Sequence, residues 1–168
     1  VYENMTAVPR AYLVPEVRAV SGDSAALAAM RDPGWDPRRV AFVNGRVPDL
    51  PDTPLSGVAT ITSADPDRIV VATRSDRAAL LVLADNYLDG WTVHVDGEAA
   101  DLLRVNHTFR GVVAPAGEHE IVFAFQPAAL RIGFAVYLTC GALLCVWLAW
   151  LAFRYARTRA GAGRPATA

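Results

Sequence analysis

The stretch Ile132–Phe153, IGFAVYLTCGALLCVWLAWLAF, decides the architecture of this chain because it holds 22 consecutive residues without a charge. At about 1.5 Å per residue, a helix of that length covers roughly 33 Å, enough to cross a hydrocarbon core of about 30 Å. A buried helix of a soluble domain rarely lacks a polar face over six turns. The sequence therefore predicts a transmembrane helix over residues 132–153.

The arginines on either side of this span predict its orientation. Arg131 alone precedes the span, and four arginines follow it: Arg154, Arg157, Arg159 and Arg164. Cytoplasmic flanks of membrane helices are enriched in Lys and Arg, so we expect a cytoplasmic tail over residues 154–168. Residues 1–131 should then form a periplasmic or extracellular domain at a bacterial inner membrane. Their net charge of about −5 disfavours a nucleic-acid partner.

Residues 1–131 are predicted to form an antiparallel β-sandwich with one short helix. From Gly57 to Phe125, β-branched and aromatic runs alternate with Pro, Gly, Asp or Asn, which is typical of a sandwich. One run, Trp91-Thr-Val-His-Val, alternates apolar and polar residues, and the Asp96-Gly97 pair after it predicts a type I′ hairpin. The run AALAAM after Ser21-Gly-Asp-Ser predicts the helix, and the three prolines of 47–57 predict a loop.

The sequence predicts no catalytic, metal or cofactor site. The two cysteines, Cys140 and Cys145, both lie in the membrane span, so the outer domain has no disulfide framework. The three histidines lie on separate strand-like segments and lack metal-ligand spacing. No nucleophile motif and no glycine-rich phosphate loop occurs. We therefore expect a non-enzymatic chain.

Asp85, Asn86, Tyr87 and Trp91 form the densest polar and aromatic cluster of the sequence. One interpretation is a saccharide platform, on which Tyr87 or Trp91 stacks against a sugar while Asp85 and Asn86 bind hydroxyl groups. The other is that Asp and Asn shape a turn between strands while Trp91 fills the core in phase with the next apolar residues. A second mixed segment, 106–110, is expected to be the solvated face of a strand, with a ligand surface as the alternative.

Small residues in the span permit close approach of another helix. They are Gly133, Ala135, Thr139, Gly141 and Ala142. The two interpretations are helix packing against another membrane protein subunit and a single anchor surrounded by lipid.

Three stretches of the chain form a recognisable set. The first is YENMTAVPRAYLV, Tyr2–Val14; the second runs from Leu80 to Pro127; the third is the span that follows, with Gly133 near its start. The second contains DNY-x-x-GW, VDG, FRGV and PAGEH in that order. Together they resemble the C-terminal part of YfhO-like bacterial membrane proteins, although the Tyr87–Trp91 segment is one residue longer than that family's usual Tyr-Pro-Gly-Trp.

The resemblance implies an outer β-domain followed by the last helix of a large multi-span protein. Members of that family look like glycosyltransferases of the lipid-linked-sugar class, whose catalytic acids are expected in loops between early spans. We expect this chain to be a non-catalytic accessory module that contacts the bilayer and other membrane protein subunits. The alternatives are the terminal accessory domain of such a glycosyltransferase and a carbohydrate-binding module with a glycan partner.

Overall fold

The computed structural model describes the backbone of residues 7–162, and the side chains of that range except those of residues 131 and 158–162. Within the first YfhO-like stretch, residues 2–6 lie outside this part of the chain, as do the flanking side chains of Arg131, Arg159 and Arg164. The chain divides into two compact units, Val1–Gln126 and Pro127–Ala168. In the described residues, the first unit is β-rich and the second contains one helix.

Eleven strands and one short helix, α1, make up the described part of the first unit. They are β1 (Ala11–Val14), β2 (Glu16–Val20), α1 (Asp23–Met30), β3 (Val40–Asn44), β4 (Gly57–Ala64), β5 (Arg68–Ser75), β6 (Ala79–Asn86), β7 (Trp91–Val95), β8 (Glu98–Ala100), β9 (Leu103–Val105), β10 (Phe109–Ala114) and β11 (Gly117–Phe125). A six-stranded sheet has the order β1-β6-β10-β9-β3-β2, and a five-stranded sheet has the order β4-β5-β11-β7-β8.

The two sheets enclose one apolar core, which confirms the predicted sandwich. Strands β1, β6 and β10 contribute side chains from the six-stranded sheet, and β5, β7 and β11 contribute side chains from the other. The largest fully buried side chain is that of Phe123 on β11. Because successive side chains of a strand point to opposite faces, Ile121 and Phe123 enter the core together while Val122 points away.

The pairing of β2 with β3 is parallel, whereas the other strand pairs in the described chain are antiparallel. Parallel neighbours need a crossover connection of a dozen or more residues. Residues 21–39, which include α1, supply it. The predicted short helix is thus confirmed, and its place in the fold is a crossover.

The six-stranded sheet is buried on its second face as well. Tyr12, Val14, Leu80 and Val82 form a second apolar cluster there, against which Val47 and Leu50 of the proline-rich loop pack. Burial on both faces explains why β6 begins with five consecutive buried residues, Ala79–Leu83, instead of alternating. The segment 47–57 is a loop up to the first residue of β4, as predicted, and it covers this face.

Two turns with positive φ angles differ in how well the sequence predicted them. Asp96 (φ 51°) and Gly97 (φ 85°) connect β7 to β8 and confirm the type I′ hairpin. Asn106 (φ 46°) and His107 (φ 70°) connect β9 to β10. The prediction that 106–110 is one strand face was wrong, because Asn tolerates the left-handed conformation and turns the chain here.

The described part of the second unit contains α2 (Ala128–Ala162), and the predicted span 132–153 lies within this helix. Residues Ala128–Arg157 form a 30-residue segment that contains an 18-residue window of mean hydropathy 2.1, and none of that window is buried. In the described residues this is the one helix long and apolar enough to cross a membrane.

Candidate functional site

The predicted cluster lies at the end of the sandwich where β11 finishes. Asp85 sits in an irregularity of β6, because the register jumps from Phe109 opposite Asn86 to Arg110 opposite Leu83. An irregularity of this kind, a β-bulge, changes the direction in which the side chains of the strand point. Here the Asp85 carboxylate meets two arginines, one from each neighbouring strand segment.

Arg10 and Arg110 bind the two carboxylate oxygens of Asp85. Arg10 donates from Nε to Oδ1 at 2.9 Å and from Nη2 to Oδ2 at 2.8 Å, which is the bidentate geometry of a strong ion pair. Nη2 of Arg110 lies 3.3 Å from Oδ2. The Asp85 side chain is 17% exposed and that of Arg110 only 5%. Both oxygens of the Asp85 carboxylate are therefore bound by side chains of the same domain.

The guanidinium of Arg110 also stacks on Trp91. Its Cζ lies 3.8 Å from the ring centroid, and on the five-stranded sheet the Trp91 ring is 5.4 Å from that of Phe125. Arg110 belongs to the six-stranded sheet, so this cation–π contact joins the two layers. Trp91 is half-buried and packs against the core, as one of the two interpretations predicted.

Burial lowers the pKa of Arg110, while the charge of Asp85 raises it in part. Nε and Nη1 of Arg110 are buried without a hydrogen-bond partner among the described residues. Such unpaired donors are costly, because an arginine side chain stays charged in proteins. The stability of this end of the sandwich therefore depends on Asp85.

The structure brings the four predicted residues together around one turn, 87–90. Asn86 Oδ1 accepts a hydrogen bond of 3.4 Å from Thr108 Oγ1, and the Tyr87 amide donates to the Thr108 carbonyl. Tyr87 is half-buried. Turn formation by Asp and Asn and core packing of Trp91 thus describe the geometry, and binding of a glycan stays a prediction.

A second pairing, which the sequence did not reveal, joins VDG to PAGEH. Nδ1 of His119 lies 2.5 Å from Oδ2 of Asp96, and Nε2 lies 2.9 Å from the Ala116 carbonyl oxygen. Asp96 Oδ1 also accepts the Glu120 amide at 2.9 Å. Both ring nitrogens face acceptors, so the protonated imidazolium fits this place. The hydrogen bond with Asp96 raises the pKa of His119, and the same bond lowers the pKa of Asp96.

The glycine of FRGV stands where two strands approach closely. A Cβ on Gly111 would lie 2.5 Å from Cγ2 of Val105 and 3.2 Å from the Leu81 carbonyl oxygen. A larger residue would fit this position only if the Val105 side chain moved and the Leu81 backbone gave way slightly. Nothing in the local sequence indicated this contact, because Val105 and Leu81 lie on two different neighbouring strands.

The small residues of α2 do not form a single stripe. At about 100° per residue, Ala135, Thr139 and Ala142 share one face, whereas Gly133 and Gly141 lie on a different one. Thr139 Oγ1 donates to the Ala135 carbonyl at 2.8 Å, which satisfies the hydroxyl within the helix. The predicted packing residues therefore offer two distinct contact faces.

Near the other end of α2, arginines cover aromatic rings. Cζ of Arg154 lies 4.9 Å from the Trp150 ring centroid, and Cζ of Arg157 lies 5.2 Å from that of Phe153. Aromatic rings and snorkelling arginines are typical of a membrane–water boundary.

A recess of the first unit lies elsewhere, beside the proline-rich loop. It has a volume of about 670 Å³ and is lined by prolines of that loop together with Glu16, Arg39 and Arg77. It contains none of the predicted site residues.

Comparison with known proteins supports the resemblance. The model of a family described as bacterial membrane protein YfhO matches residues 57–137. This region is YfhO-like. The match begins at the first residue of β4, contains the whole five-stranded sheet and extends into α2.

The matched region contains the DNY, GW, VDG, FRGV and PAGEH residues, whereas the Tyr2–Val14 stretch lies before it. No curated protein and no solved structure was found to match the chain. The YfhO-like part thus carries the Asp85–Arg110–Trp91 and Asp96–His119 contacts, and Arg10 comes from outside it.

Proposed function

We propose that this chain is a non-catalytic, membrane-anchored module whose β-sandwich and helix α2 pack against a larger membrane protein. The observation that carries the proposal is the internal pairing of the densest polar cluster. The Asp85 carboxylate is bound by Arg10 and Arg110, and Trp91 is covered by the Arg110 guanidinium. A carboxylate that acts as a general acid or base must be within reach of a substrate proton, whereas the Asp85 carboxylate is already bound by two guanidinium groups.

Helix α2 supports a role beside a partner. The apolar side chains described in it are exposed, and two of its faces carry small residues that permit close helix approach. Association of membrane helices depends on such close packing rather than on hydrophobicity, because lipid tails are as apolar as leucine.

The proposed orientation places the β-sandwich outside the cytoplasm. The arginine-rich end of α2 carries Arg154 and Arg157 stacked on aromatic rings, and the positive-inside rule assigns that end to the cytoplasmic side. Protease added to intact spheroplasts should then digest the sandwich and spare a tag at residue 168. Digestion of the tag and protection of the sandwich would contradict the orientation.

Site-specific photo-crosslinking in the native membrane tests the packing role. A photoreactive amino acid at Thr139 samples one small-residue face, and one at Gly141 samples the other. A stable partner predicts a discrete crosslinked protein from one face. Crosslinks to lipid alone from both positions would contradict the proposal.

A second candidate is favoured by the match to residues 57–137. We propose, as the alternative, that the module is the C-terminal accessory domain of a YfhO-like lipid-linked-sugar glycosyltransferase. The reading frame upstream of Val1 discriminates between the two. Ten or more preceding hydrophobic segments in that frame would support the glycosyltransferase and contradict a separate subunit.

A further inference from the structure

The turn 87–90, which we call the exit loop, is tied to the point where the chain leaves the sandwich. The Gln126 amide donates a 2.6 Å hydrogen bond to the Gly90 carbonyl oxygen. Gln126 is the last residue of the first unit, and α2 begins two residues later at Ala128. The exit loop therefore stays beside the connection to the membrane helix.

The length of this connection limits how far the exit loop can be from the bilayer, whatever the angle between sandwich and helix. Two peptide units from Gln126 to Ala128 span at most about 7.6 Å. Four further helical residues to Ile132 add about 6 Å. A headgroup layer is about 5–8 Å thick on each side of the hydrocarbon core. The exit loop is thus within reach of that layer.

The exit loop and the end of β11 each carry an exposed apolar side chain. Leu88 is 59% exposed, and Phe125, the last residue of β11, is 36% exposed. Single exposed apolar residues are common on soluble proteins and need no explanation. Here, however, they lie at the end of the sandwich that precedes the membrane helix. The neighbouring Asp89 is exposed, so attraction to anionic lipid does not account for the loop.

We propose that the exit loop docks on the headgroup layer of the bilayer and that Leu88 inserts into it as an apolar anchor. Asp89 stays on the aqueous side, and Asp85 enters no contact with lipid because Arg10 and Arg110 hold it. This inference rests on α2 crossing the membrane. It does not depend on a protein partner.

Fluorescence of a single label in phosphatidylcholine proteoliposomes tests the proposal on the full chain. Cys140→Ala and Cys145→Ala remove the native thiols, and Leu88→Cys then carries an environment-sensitive fluorophore. The matched control is Val58→Cys, because Val58 is 56% exposed on β4. Across the sheet, Val58 lies level with Arg74 and Glu118. Glu118 is seven residues before Phe125 on β11, so Val58 is about 23 Å along the strands from the end that carries Phe125.

The label at Leu88 should show blue-shifted emission and several-fold stronger quenching by lipids that carry a spin label near the headgroup. The label at Val58 should show neither effect. Equal quenching at the two positions, or none at Leu88, would overturn the proposal. A blue shift of the Leu88 label in native membranes but not in pure liposomes would also overturn the proposal. That result would be consistent with the protein partner proposed above.

Discussion

Replacement of Asp85 by Asn should remove the charge that compensates the buried guanidinium of Arg110. The Arg110 residue is 4% exposed, and two of its donor nitrogens already lack partners. Removal of one member of a buried ion pair costs about 3–5 kcal/mol, because the other charge stays buried and uncompensated. Asp85 is partly exposed and Arg10 half-exposed. We therefore expect Asp85→Asn to lower the free energy of unfolding by about 3 kcal/mol, the lower end of that range.

The matched control removes the other partner. Arg110→Met deletes the buried charge together with its unpaired donors, and Asp85 keeps its bidentate contact with Arg10. The loss is then mainly the cation–π contact with Trp91, worth about 0.5–2 kcal/mol. Arg110→Met should thus cost clearly less than Asp85→Asn. Addition of Asp85→Asn to Arg110→Met should cost much less than Asp85→Asn costs alone.

Pulse proteolysis in urea measures these differences on the full chain in non-ionic detergent micelles. A brief protease pulse at each urea concentration digests unfolded sandwich and spares the folded domain, so the urea midpoint reports stability. A larger loss for Arg110→Met than for Asp85→Asn would refute the reasoning. It would mean that the stacked guanidinium stabilises the sandwich more than its burial costs.

Three further predictions concern the same domain. Gly111→Ala should destabilise the sandwich by about 1–3 kcal/mol, measured by the same urea midpoint, because its Cβ collides with Val105. Because the pKa of His119 is raised, the stabilising contribution of its pair with Asp96 should be complete below about pH 6.5 and should decline as the pH rises through the pKa of the folded state. Because the pKa of Asp96 is lowered, a second loss of this contribution should begin below about pH 3.8. His119→Gln should remove the alkaline decline of the melting temperature, and a decline that persists would contradict the assignment. Trp91→Ala should cost about 3 kcal/mol in urea, the lower end of the range for a core tryptophan, because the side chain is half-buried. A normal midpoint with loss of binding on a glycan array would favour a saccharide platform instead.

The parts of the fold that the sequence predicted are those that local chemistry determines. Asp96-Gly97 forces a type I′ turn because both residues accept positive φ angles. Trp91 was placed in the core by its phase with the following apolar residues. The long apolar helix α2 was predicted from the length and hydropathy of the uncharged stretch alone.

The parts that the sequence did not predict depend on partners far along the chain. Asn106 lies in a polar stretch that also suits a solvated strand, and its side-chain oxygen accepts the amide of Phe42, 64 residues away. The stacking of Arg110 on Trp91 requires the relative position of the two sheets. No periodicity within a strand carries that information, so the pairing within the site became visible only in three dimensions.

The contacts between the YfhO-like motifs help to decide which properties of that family can be inferred for this chain. Residues of DNY, GW and FRGV meet in the Asp85–Arg110–Trp91 cluster, and VDG meets PAGEH through Asp96 and His119. The first cluster joins strands of the two sheets, and the second joins β11 to the turn between β7 and β8. The family match over residues 57–137 supports a shared β-domain followed by an apolar helix. Transfer of glycosyltransferase chemistry needs separate support, because these motif side chains bind one another.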